Sequence, residues 1–270
     1  MSYNFAISIV LYNPNHVRLT ALLNKILRYN PNCKIFLIDN SPKKNKLNIL
    51  SESIIYIRNK NNIGYGSAHN IAIKRSLDQG IERLFIINYD IDFTTNVFLE
   101  MLNYMSINNH IGLMMPRILH NNFKDQFLPK IQPNFLSIFK RKINQSKNIF
   151  FRKFIFNYEG RNLNTDLNYK ITNLSGCFML FNLELLKTDA YFDERFFLYF
   201  EDYDLSRRLY LKYNLVLYNN SSITHDYYSG ANKELKLLLL FLKSYFLFFN
   251  KWGWFIPLFY IKKNITSEFK

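Results

Sequence analysis

Hydrophobic residues in the first half of the chain fall into short apolar runs separated by segments with helical spacing. Five of these runs are typical of buried strands: Phe5–Tyr12, Ile35–Ile38, Ile54–Ile57, Arg83–Ile87 and Ile111–Met115. Apolar residues three and four positions apart predict helices over Leu19–Leu27 and Ala68–Arg75, and Gly80 ends the second. Strands that alternate with helices in this way predict an α/β fold, in which a mostly parallel central sheet is flanked by helices.

Polar residues follow three of the predicted strands: Asn13 follows the first, Asp39 the second and Asp90 the fourth. Right-handed crossovers bring the ends of parallel strands to one edge of the sheet, where open α/β sheets bind ligands. We therefore predict a nucleotide site at this edge, in which Asp39 accepts a hydrogen bond from a base N–H. Further candidates to line the base or ribose are Asn62, Gly64 and Asn70. Asp39–Pro42 is also typical of an ordinary turn, and this alternative stays open.

Two carboxylates lie close together just after the fourth strand. Asp90 and Asp92 are two positions apart on a predicted turn, from which both can reach one hard cation such as Mg²⁺ or Mn²⁺. Such a cation usually takes its remaining ligands from water and substrate phosphates. The alternative is that both residues cap the helix that starts after Thr94, Thr95 and Asn96.

The character of the chain changes between residues 117 and 170. This segment is basic, aromatic and poorly periodic, which predicts an irregular insertion over the site, where loops determine substrate choice. Its basic residues could contact phosphates or anionic lipid headgroups, or simply form a solvated face. They include Lys140, Arg141, Lys142, Lys147, Arg152 and Lys153.

A second apolar run, Asn173–Phe181, predicts a buried strand that contains Ser175 and Gly176. Glycine inside a strand indicates that a ligand or another backbone approaches closely. Two further short strands are predicted over Val216–Tyr218 and Ile223–His225.

Three acids occupy the start of a later predicted helix: Glu201, Asp202 and Asp204. Acids favour helix N-termini, and this structural explanation alone could account for them. However, three carboxylates in four residues repel one another unless they share a cation or a proton. The preceding aromatic residues, Phe196–Phe200, would bury one of the carboxylates and raise its pKa, which is the environment of a general base.

The end of the chain differs from the rest. His225 follows an apolar pair and is a candidate metal ligand, although a single histidine is often a packing residue. The segment 231–270 is basic and rich in Leu, Phe and Trp, which predicts an amphipathic helix at a bilayer interface. An ordinary packing helix is the alternative. We therefore divide the chain into a domain over 1–230 and a helical segment over 231–270.

Composition restricts the range of partners. The net charge of +15 is compatible with nucleic acid, an anionic membrane or phosphorylated small molecules, and a genome with biased base composition would also produce it. No nucleic-acid-binding motif is present, so we expect no nucleic acid partner.

Cys33 and Cys177 make no disulfide framework and fit a reducing compartment. We expect no signal peptide and no membrane-spanning helix, and neither a dinucleotide fingerprint nor a P-loop is present.

Several short motifs gain weight from their order and spacing: Ile9–Pro14, Ile38–Ser41, Asn62–Asn70, Asn88–Asp90, Ser175–Met179, Phe192–Phe197, Glu201–Leu205, His225 and Asn250–Trp254. Together they resemble the motifs of family 2 glycosyltransferases with the GT-A fold, of the bacterial rhamnosyltransferase-like branch. The resemblance covers nearly the whole chain. The branch usually has proline where this chain has Tyr89, so metal ligation by Asp90 alone or together with Asp92 stays open.

The resemblance implies transfer of a rhamnose-like or other hexose, with inversion, from a dTDP- or UDP-linked donor to a glycan hydroxyl. It implies that Asp39 reads a pyrimidine base and that Asp90 holds a divalent metal on the diphosphate. Asp202, with Glu201 beside it, would deprotonate the acceptor, and His225 would complete the metal or diphosphate site. The remaining candidates for nucleotide-sugar binding are Tyr12, Asn13, Asn40, Asn88 and Gly176.

The resemblance also implies a setting. We expect a polyprenyl-linked acceptor, a growing bacterial surface polysaccharide such as O antigen, and a peripheral location at the cytoplasmic face of the cell membrane. Because Tyr89 replaces the usual proline, a catalytically inactive module that binds nucleotide sugars or glycans is the alternative.

Overall fold

The computed structural model describes residues 5–44, 51–128, 133, 135, 156, 158–161, 163–226 and 235–254. The strands in these ranges are β1 (Phe5–Leu11), β2 (Lys34–Asp39), β3 (Ile54–Arg58), β4 (Arg83–Ile87), β5 (Ile91–Asp92), β6 (Ile111–Leu119), β7 (Tyr169–Lys170), β8 (Phe178–Asn182) and β9 (Asn214–His225). The helices are α1 (His16–Tyr29), α2 (Tyr65–Asp78), α3 (Val97–Ile107), α4 (Leu183–Leu186), α5 (Glu201–Tyr210) and α6 (Leu235–Trp252).

The strands form one mixed sheet in the order β3-β2-β1-β4-β8-β6-β9-β5, with β7 paired to β9. The four strands from β3 to β4 are parallel, with Leu11 opposite Asp39 and Ile9 opposite Ile87. The ends of β1, β2 and β4 therefore meet at one edge, as the sequence predicted. Because β8 runs antiparallel to β4, its first residue, Phe178, lies opposite Ile87 at this same edge.

The helices of the first half follow from their apolar spacing. Buried residues on one face of α1 join the core of the sheet: Leu19, Leu22, Leu23 and Ile26. Each fully buried leucine contributes about 1.5–3 kcal/mol, so this face holds the helix in place. The side chains of Asn15 and Asn96 cap the N-termini of α1 and α3 by accepting backbone hydrogen bonds. The two helices predicted before Gly80 are thus confirmed, with longer bounds.

The second half is less regular than the sequence predicted. The predicted strand over Asn173–Phe181 begins only at Phe178, so Ser175 and Gly176 lie in the preceding loop. The two short strands predicted after residue 214 are a single strand, β9, whose register against β6 shifts after Pro116. Beyond β4 the sheet is mixed: β8 runs antiparallel to β4 and β6; β5 and β7 run antiparallel to β9; and β6 and β9 run parallel to each other.

The predicted insertion over 117–170 is partly regular at both ends. Strand β6 continues to Leu119, which forms an antiparallel bridge with Asp125, and Tyr169–Lys170 forms β7 on the side of β9. Six of its basic residues, singled out above, lie outside the described residues: Lys140, Arg141, Lys142, Lys147, Arg152 and Lys153.

The C-terminal helix α6 packs with one face onto the rest of the chain. Its residues Tyr245, Phe248 and Phe249 form a second apolar cluster with Phe196 and Phe200. A different face is solvent-exposed and carries Leu235, Leu239, Leu242 and Phe246. In the part of the chain that the structure describes, no helix combines the length and apolar character needed to cross a bilayer. Residues 255–270 of the predicted segment lie outside this part.

Candidate active site

The loop after β4 meets the end of β9 at the common edge of the sheet. Pairing of Ile91 with His225 brings the histidine beside the preceding loop. The Nε2 atom of His225 lies 3.4 Å from Oδ1 of Asp90 and 3.2 Å from Nδ2 of Asn88. Two candidate metal ligands that are distant in sequence, Asp90 and His225, are therefore brought together.

Tyr65 connects this group to the loop that precedes β8. Its hydroxyl donates a hydrogen bond to the carbonyl oxygen of Gly176 at 2.7 Å and lies 3.0 Å from Oδ1 of Asn88. The backbone N–H of Asn88 donates to the carbonyl oxygen of Cys177 at 2.9 Å. In the sequence, Tyr65 stands within the motif Asn62–Asn70, and no role is predicted for it. Its position between two glycines at the start of a predicted helix was the available signal.

Gly176 in turn contacts the candidate base. Its backbone N–H donates to Oδ2 of Asp202 at 3.1 Å, while Oδ1 of Asp202 accepts from the N–H of Tyr203 at 2.8 Å. A β-carbon at Gly176 would lie 3.4 Å from the ring of Tyr65 and 3.7 Å from the β-carbon of Asp202. A continuous series of contacts therefore runs from His225 to Asp202, and Asp90 and Asp202 flank the same short loop.

The two acids that begin α5 have different environments. Glu201 is buried, and this burial, followed by the neighbouring charge of Asp202, raises the pKa of Glu201 from 4.5 to about 8. Glu201 is thus desolvated, whereas the carboxylate of Asp202 is half-buried and accepts backbone hydrogen bonds. Burial also raises the pKa of the Cys177 thiol to about 12, and the charges of Asp202 and Asp90 add to this rise. The charges of Asp90 and Asp202 therefore both influence Cys177, which lies in the loop before β8.

The residues predicted to bind the nucleotide line the neighbouring part of the edge. Tyr12 is exposed at the end of β1, and the N–H of Asn13 donates to Oγ of Ser41 at 2.8 Å. Asp39 is fully buried and accepts hydrogen bonds from the Tyr56 hydroxyl and from the N–H of Ser41. Direct contact between Asp39 and a base stays a prediction, because in this structure its carboxylate holds the turn that follows β2.

A second group of predicted residues shapes the N-terminus of α2. Asn40 donates to the carbonyl oxygen of Gly64 at 3.0 Å, and Oδ1 of Asn62 accepts from the N–H of Gly64 at 2.9 Å. Gly64 has a φ of 96°, and a β-carbon there would lie 2.6 Å from the carbonyl oxygen of Phe197. No other residue fits this position without displacing the aromatic loop before α5.

Two predicted residues have contacts elsewhere. The side-chain amide of Asn70 exchanges hydrogen bonds with the backbone of Phe192, at 2.8 and 3.0 Å, and so anchors the loop before α5. Asp92 lies on β5, where its exposed side chain forms an ion pair with Lys25 of α1 at 2.5 Å. The structure does not bring Asp92 together with Asp90 and His225.

The arrangement around Asp90 fits a divalent cation. Among the described residues, no three His, Cys, Asp or Glu side chains converge on one point, so the protein would supply a carboxylate and an imidazole. Catalytic Mg²⁺ is typically held by one or two carboxylates together with waters and substrate phosphates, and Mn²⁺ accepts similar ligands. Asp90 and His225 suit this role, since the diphosphate of a substrate could complete the coordination.

Sequence comparison now places the chain among known proteins. The family model described as "Glycosyl transferase family 2" matches residues 7–189, which is more than half of the chain. The chain belongs to glycosyl transferase family 2. No curated protein matches it in sequence. The matched range includes Asp39, Asp90 and Gly176 but ends before Asp202 and His225.

Solved structures show that this family 2 chain has the GT-A fold. It superposes on GalNAc-T7, crystallised with UDP, GalNAc and Mn²⁺, with a TM-score of 0.57 and 14% identity, over 83% of this chain and 44% of that chain. It superposes on S. aureus TarS 1-349 in complex with UDP with a TM-score of 0.54 and 16% identity, over 87% and 63%. It superposes on a mannosyltransferase from Pyrobaculum calidifontis, in complex with GDP-Man and Mn²⁺, with a TM-score of 0.52 and 10% identity, over 84% of this chain and 57% of that chain. The chain thus spans less than two thirds of each of these proteins.

In this family 2 chain, the helix that begins with the candidate base is fixed by α6. Asp204, which is fully buried, accepts hydrogen bonds from Lys251 and Trp252 of α6, at 2.7 and 2.8 Å, and from Arg208 at 3.0 Å. Lys251 also pairs with Asp193 at 2.7 Å. The acid that sequence analysis grouped with the base therefore has a structural role, two residues from Asp202.

The loop before α5 is anchored on both sides. Tyr199 and Phe200 have left-handed φ angles of 70° and 67°, which cost energy in residues with a β-carbon. The backbone N–H of Tyr65 donates to the carbonyl oxygen of Phe197 at 2.9 Å. The hydroxyl of Ser244, on α6, donates to the carbonyl oxygen of Leu198 at 2.7 Å. Contacts from α2 and α6 therefore hold the conformation that directs α5 to the site.

Replacing Lys251 with methionine tests this anchoring. We expect Lys251→Met to lower the free energy of unfolding by about 2–3 kcal/mol, because the buried carboxylate of Asp204 loses a charged partner but keeps Arg208 and Trp252. Urea unfolding followed by circular dichroism measures the change. Lys243→Met, at an exposed position of the same helix, should change stability by less than about 0.5 kcal/mol. Equal effects of the two variants would show that the ion pairs of Lys251 contribute nothing to the free energy of unfolding.

The raised pKa of Glu201 predicts how stability depends on pH. The folded chain holds a proton that the unfolded chain releases above pH 4.5, so the stability from this group is fully present below 4.5 and falls as pH rises towards 8. Glu201→Gln removes this loss. Its free energy of unfolding relative to the wild type should therefore rise by about 1.4 kcal/mol per pH unit between pH 5 and 7.5.

Urea titrations at several pH values measure this difference. Glu52→Gln, at an exposed position, controls for loss of a carboxylate at the surface. A Glu201→Gln curve parallel to that of the wild type would show that Glu201 is ionised in the folded chain.

Proposed function

We propose that this chain is a metal-dependent, inverting glycosyltransferase that moves a hexose from a dTDP- or UDP-linked donor to a glycan hydroxyl. The observation that carries the proposal is the series of contacts from His225 through Asn88, Tyr65 and Gly176 to Asp202. It sets a pair of candidate metal ligands and a candidate base around one loop. Membership of glycosyl transferase family 2 and the GT-A fold support the same reaction.

Asp90 and His225 are proposed to hold the cation that binds the donor diphosphate. When bound, a divalent cation neutralises the negative charge that develops on the departing nucleoside diphosphate. Asn88 orients this pair, since its amide contacts both the imidazole of His225 and the hydroxyl of Tyr65. Neighbours crystallised with Mn²⁺ support a metal-dependent reaction.

Asp202 is proposed to accept the proton of the attacking hydroxyl. Backbone N–H groups of Gly176 and Tyr203 hold its carboxylate at the start of α5, where it is only half-buried and can reach a substrate. Glu201 beside it is buried with a raised pKa, so it remains largely protonated at neutral pH and adds no full negative charge. One ionised acid opposite a leaving diphosphate supports a single in-line displacement, which inverts the anomeric carbon.

The nucleotide is proposed to lie along the ends of β1 and β2. Tyr12 offers an exposed aromatic ring for stacking, and Asn13 and Asn40 shape the turn below α2. Neighbouring structures that contain UDP and GDP-Man support a nucleotide-sugar donor. A dTDP- or UDP-linked donor is retained because the predicted contact of Asp39 is to a pyrimidine base.

The acceptor is proposed to be a polyprenyl-linked polysaccharide at the cytoplasmic face of the bacterial membrane. The exposed residues Leu235, Leu239, Leu242 and Phe246 recur at intervals of three and four, so they form one apolar stripe on α6. Lys236 and Lys243 flank this stripe and complement anionic headgroups. The face used for packing is separate, so α6 can contact a bilayer while it remains attached to the domain.

Replacement of Asp202 tests the reaction. Purified protein with Mg²⁺ or Mn²⁺ and a panel of UDP-sugars and dTDP-rhamnose should release nucleoside diphosphate. We expect Asp202→Asn to lower this rate by about a hundredfold or more, because general bases contribute 10²- to 10⁴-fold. Binding of UDP, measured by calorimetry, should change by less than about threefold.

Asp78→Asn, an exposed acid on α2, is the matched control and should retain full activity. Unchanged release by Asp202→Asn would refute its role as the base. Binding of nucleotide without turnover, with every donor in the panel, would favour an inactive binding module.

Membrane association is tested on the apolar stripe. The double variant Leu239→Glu and Phe246→Glu should bind phosphatidylglycerol-containing vesicles at least tenfold more weakly than the wild type in a sedimentation assay, since it places charges on the exposed stripe that would enter the bilayer. The control, Val17→Glu with Ile107→Glu, alters two apolar residues on α1 and α3 that are even more exposed. If both double variants bind vesicles as the wild type does, α6 is not the membrane contact.

A further inference from the structure

A cavity of about 590 Å³ lies between α1, β5 and β9, separate from the candidate active site. Helix α1 contributes Arg18 and Lys25, β5 contributes Asp92, and the turn after β6 contributes Asn121 and Phe123. None of the lining residues belongs to the series of contacts between His225 and Asp202. The function proposed above therefore leaves this cavity without an occupant.

Alternation along the chain separates the two sites. Asp90 directs its carboxylate towards His225, whereas Asp92, two residues further on, lines the cavity. Arg18 lines the cavity and also contacts the loop that carries Asp90, because one of its guanidinium nitrogens donates a hydrogen bond to the carbonyl oxygen of Asp90 at 2.9 Å. The cavity thus backs directly onto the loop that carries the candidate metal ligand.

The charges of the cavity are balanced. Arg18 pairs with Asp226 at 2.7 Å, and Lys25 pairs with Asp92 at 2.5 Å. A phosphate or another anion would compete with carboxylates that already occupy these cations. A neutral ligand with several hydroxyl groups would keep both pairs intact and could use their remaining donor and acceptor positions.

An aromatic ring is presented beside these polar groups. Phe123 is 69% exposed and has a left-handed φ of 61° at the tip of a turn. The turn is closed by hydrogen bonds between His120 and Lys124, at 2.7 Å, and from Phe123 to His120, at 2.8 Å. Arg117 pairs with Asp125 at 2.8 Å and holds the base of the turn.

The same turn is tied to the end of β9. The side-chain amide of Gln126 donates to the carbonyl oxygen of Leu119 at 2.9 Å and to that of His225 at 2.6 Å. These contacts hold the turn from which Phe123 projects. Because Phe123 lines the cavity, its ring supplies an aromatic surface beside the polar side chains.

We propose that this cavity is a glycan-binding subsite, which holds a neutral sugar of the acceptor chain at a distance from the reacting hydroxyl. Phe123 contacts the apolar face of the ring, while Asp92, Asn121 and Lys25 bind its hydroxyl groups. Sites that combine aromatic surface with a few polar groups in a concave cavity are typical of small ligands. Binding a remote part of the acceptor would contribute energy for positioning the reacting part. The inference rests on the proposed function, because only a glycan acceptor requires such a subsite.

Saturation-transfer NMR tests the subsite with defined probes. The full chain, with its donor site filled by UDP and Mg²⁺, is mixed with methyl glycosides of rhamnose, glucose, galactose and N-acetylglucosamine. At least one glycoside should receive saturation from the protein. Phe123→Ala should weaken its binding at least tenfold, and Asp92→Asn, which keeps the side-chain shape, should weaken it severalfold.

Phe156→Ala is the control, because Phe156 is also an exposed phenylalanine but does not line the cavity. It should bind the glycoside as the wild type does. No saturation of any glycoside, or equal binding by the Phe123 and Phe156 variants, would overturn the subsite. Loss of binding in Asp202→Ala but not in Phe123→Ala would place the sugar in the candidate active site instead and would equally overturn it.

Failure of the subsite and failure of the proposed function give different results. If nucleoside diphosphate is released but no glycoside binds the cavity, the glycosyltransferase proposal stands and the subsite is wrong. If a glycoside binds through Phe123 and no donor in the panel is turned over, the subsite stands as a glycan-binding site of an inactive chain.

Discussion

The candidate site depends on the hydroxyl of Tyr65, which lies between the amide of Asn88 and the carbonyl of Gly176. Through these two contacts, a loop at the end of β4 and a loop before β8 are held at a fixed separation. Asp90 lies in the first loop, beside His225 at the end of β9. Asp202 accepts a hydrogen bond from Gly176 in the second loop. The hydroxyl has one proton, which it donates to the carbonyl oxygen of Gly176, and leaving this group without a partner would cost about 1–3 kcal/mol.

Most of the sheet could be predicted from the sequence because its strands are buried on both faces and therefore apolar throughout. The meeting of Asn13, Asp39 and Asp90 at one edge followed from crossover handedness alone. The loop around Gly176 could not be predicted, because its backbone groups bond to a side chain of α5 instead of a neighbouring strand. The bonds that keep Gly176 out of β8, so that the strand begins only at Phe178, come from residues far away in the sequence.

Residue type alone also could not assign the acids. Asp90 and Asp92 have the spacing of a shared metal site, yet β5 pairs with β9 and sends the two carboxylates to different places. Glu201, Asp202 and Asp204 look equivalent in sequence, but one is desolvated, one accepts backbone hydrogen bonds and one is neutralised by α6. Tertiary contacts, which no local pattern encodes, divide these three roles.

The close packing of Gly64 against Phe197 has a mechanical consequence. Backbone meets backbone there, with no side chain in between to yield, and the N–H of Tyr65 reinforces the junction. The first turn of α2 and the aromatic loop before α5 consequently behave as one rigid body. Any movement of that loop has to carry Tyr65 with it, so the loops that contain Asn88 and Gly176 would shift together with α5.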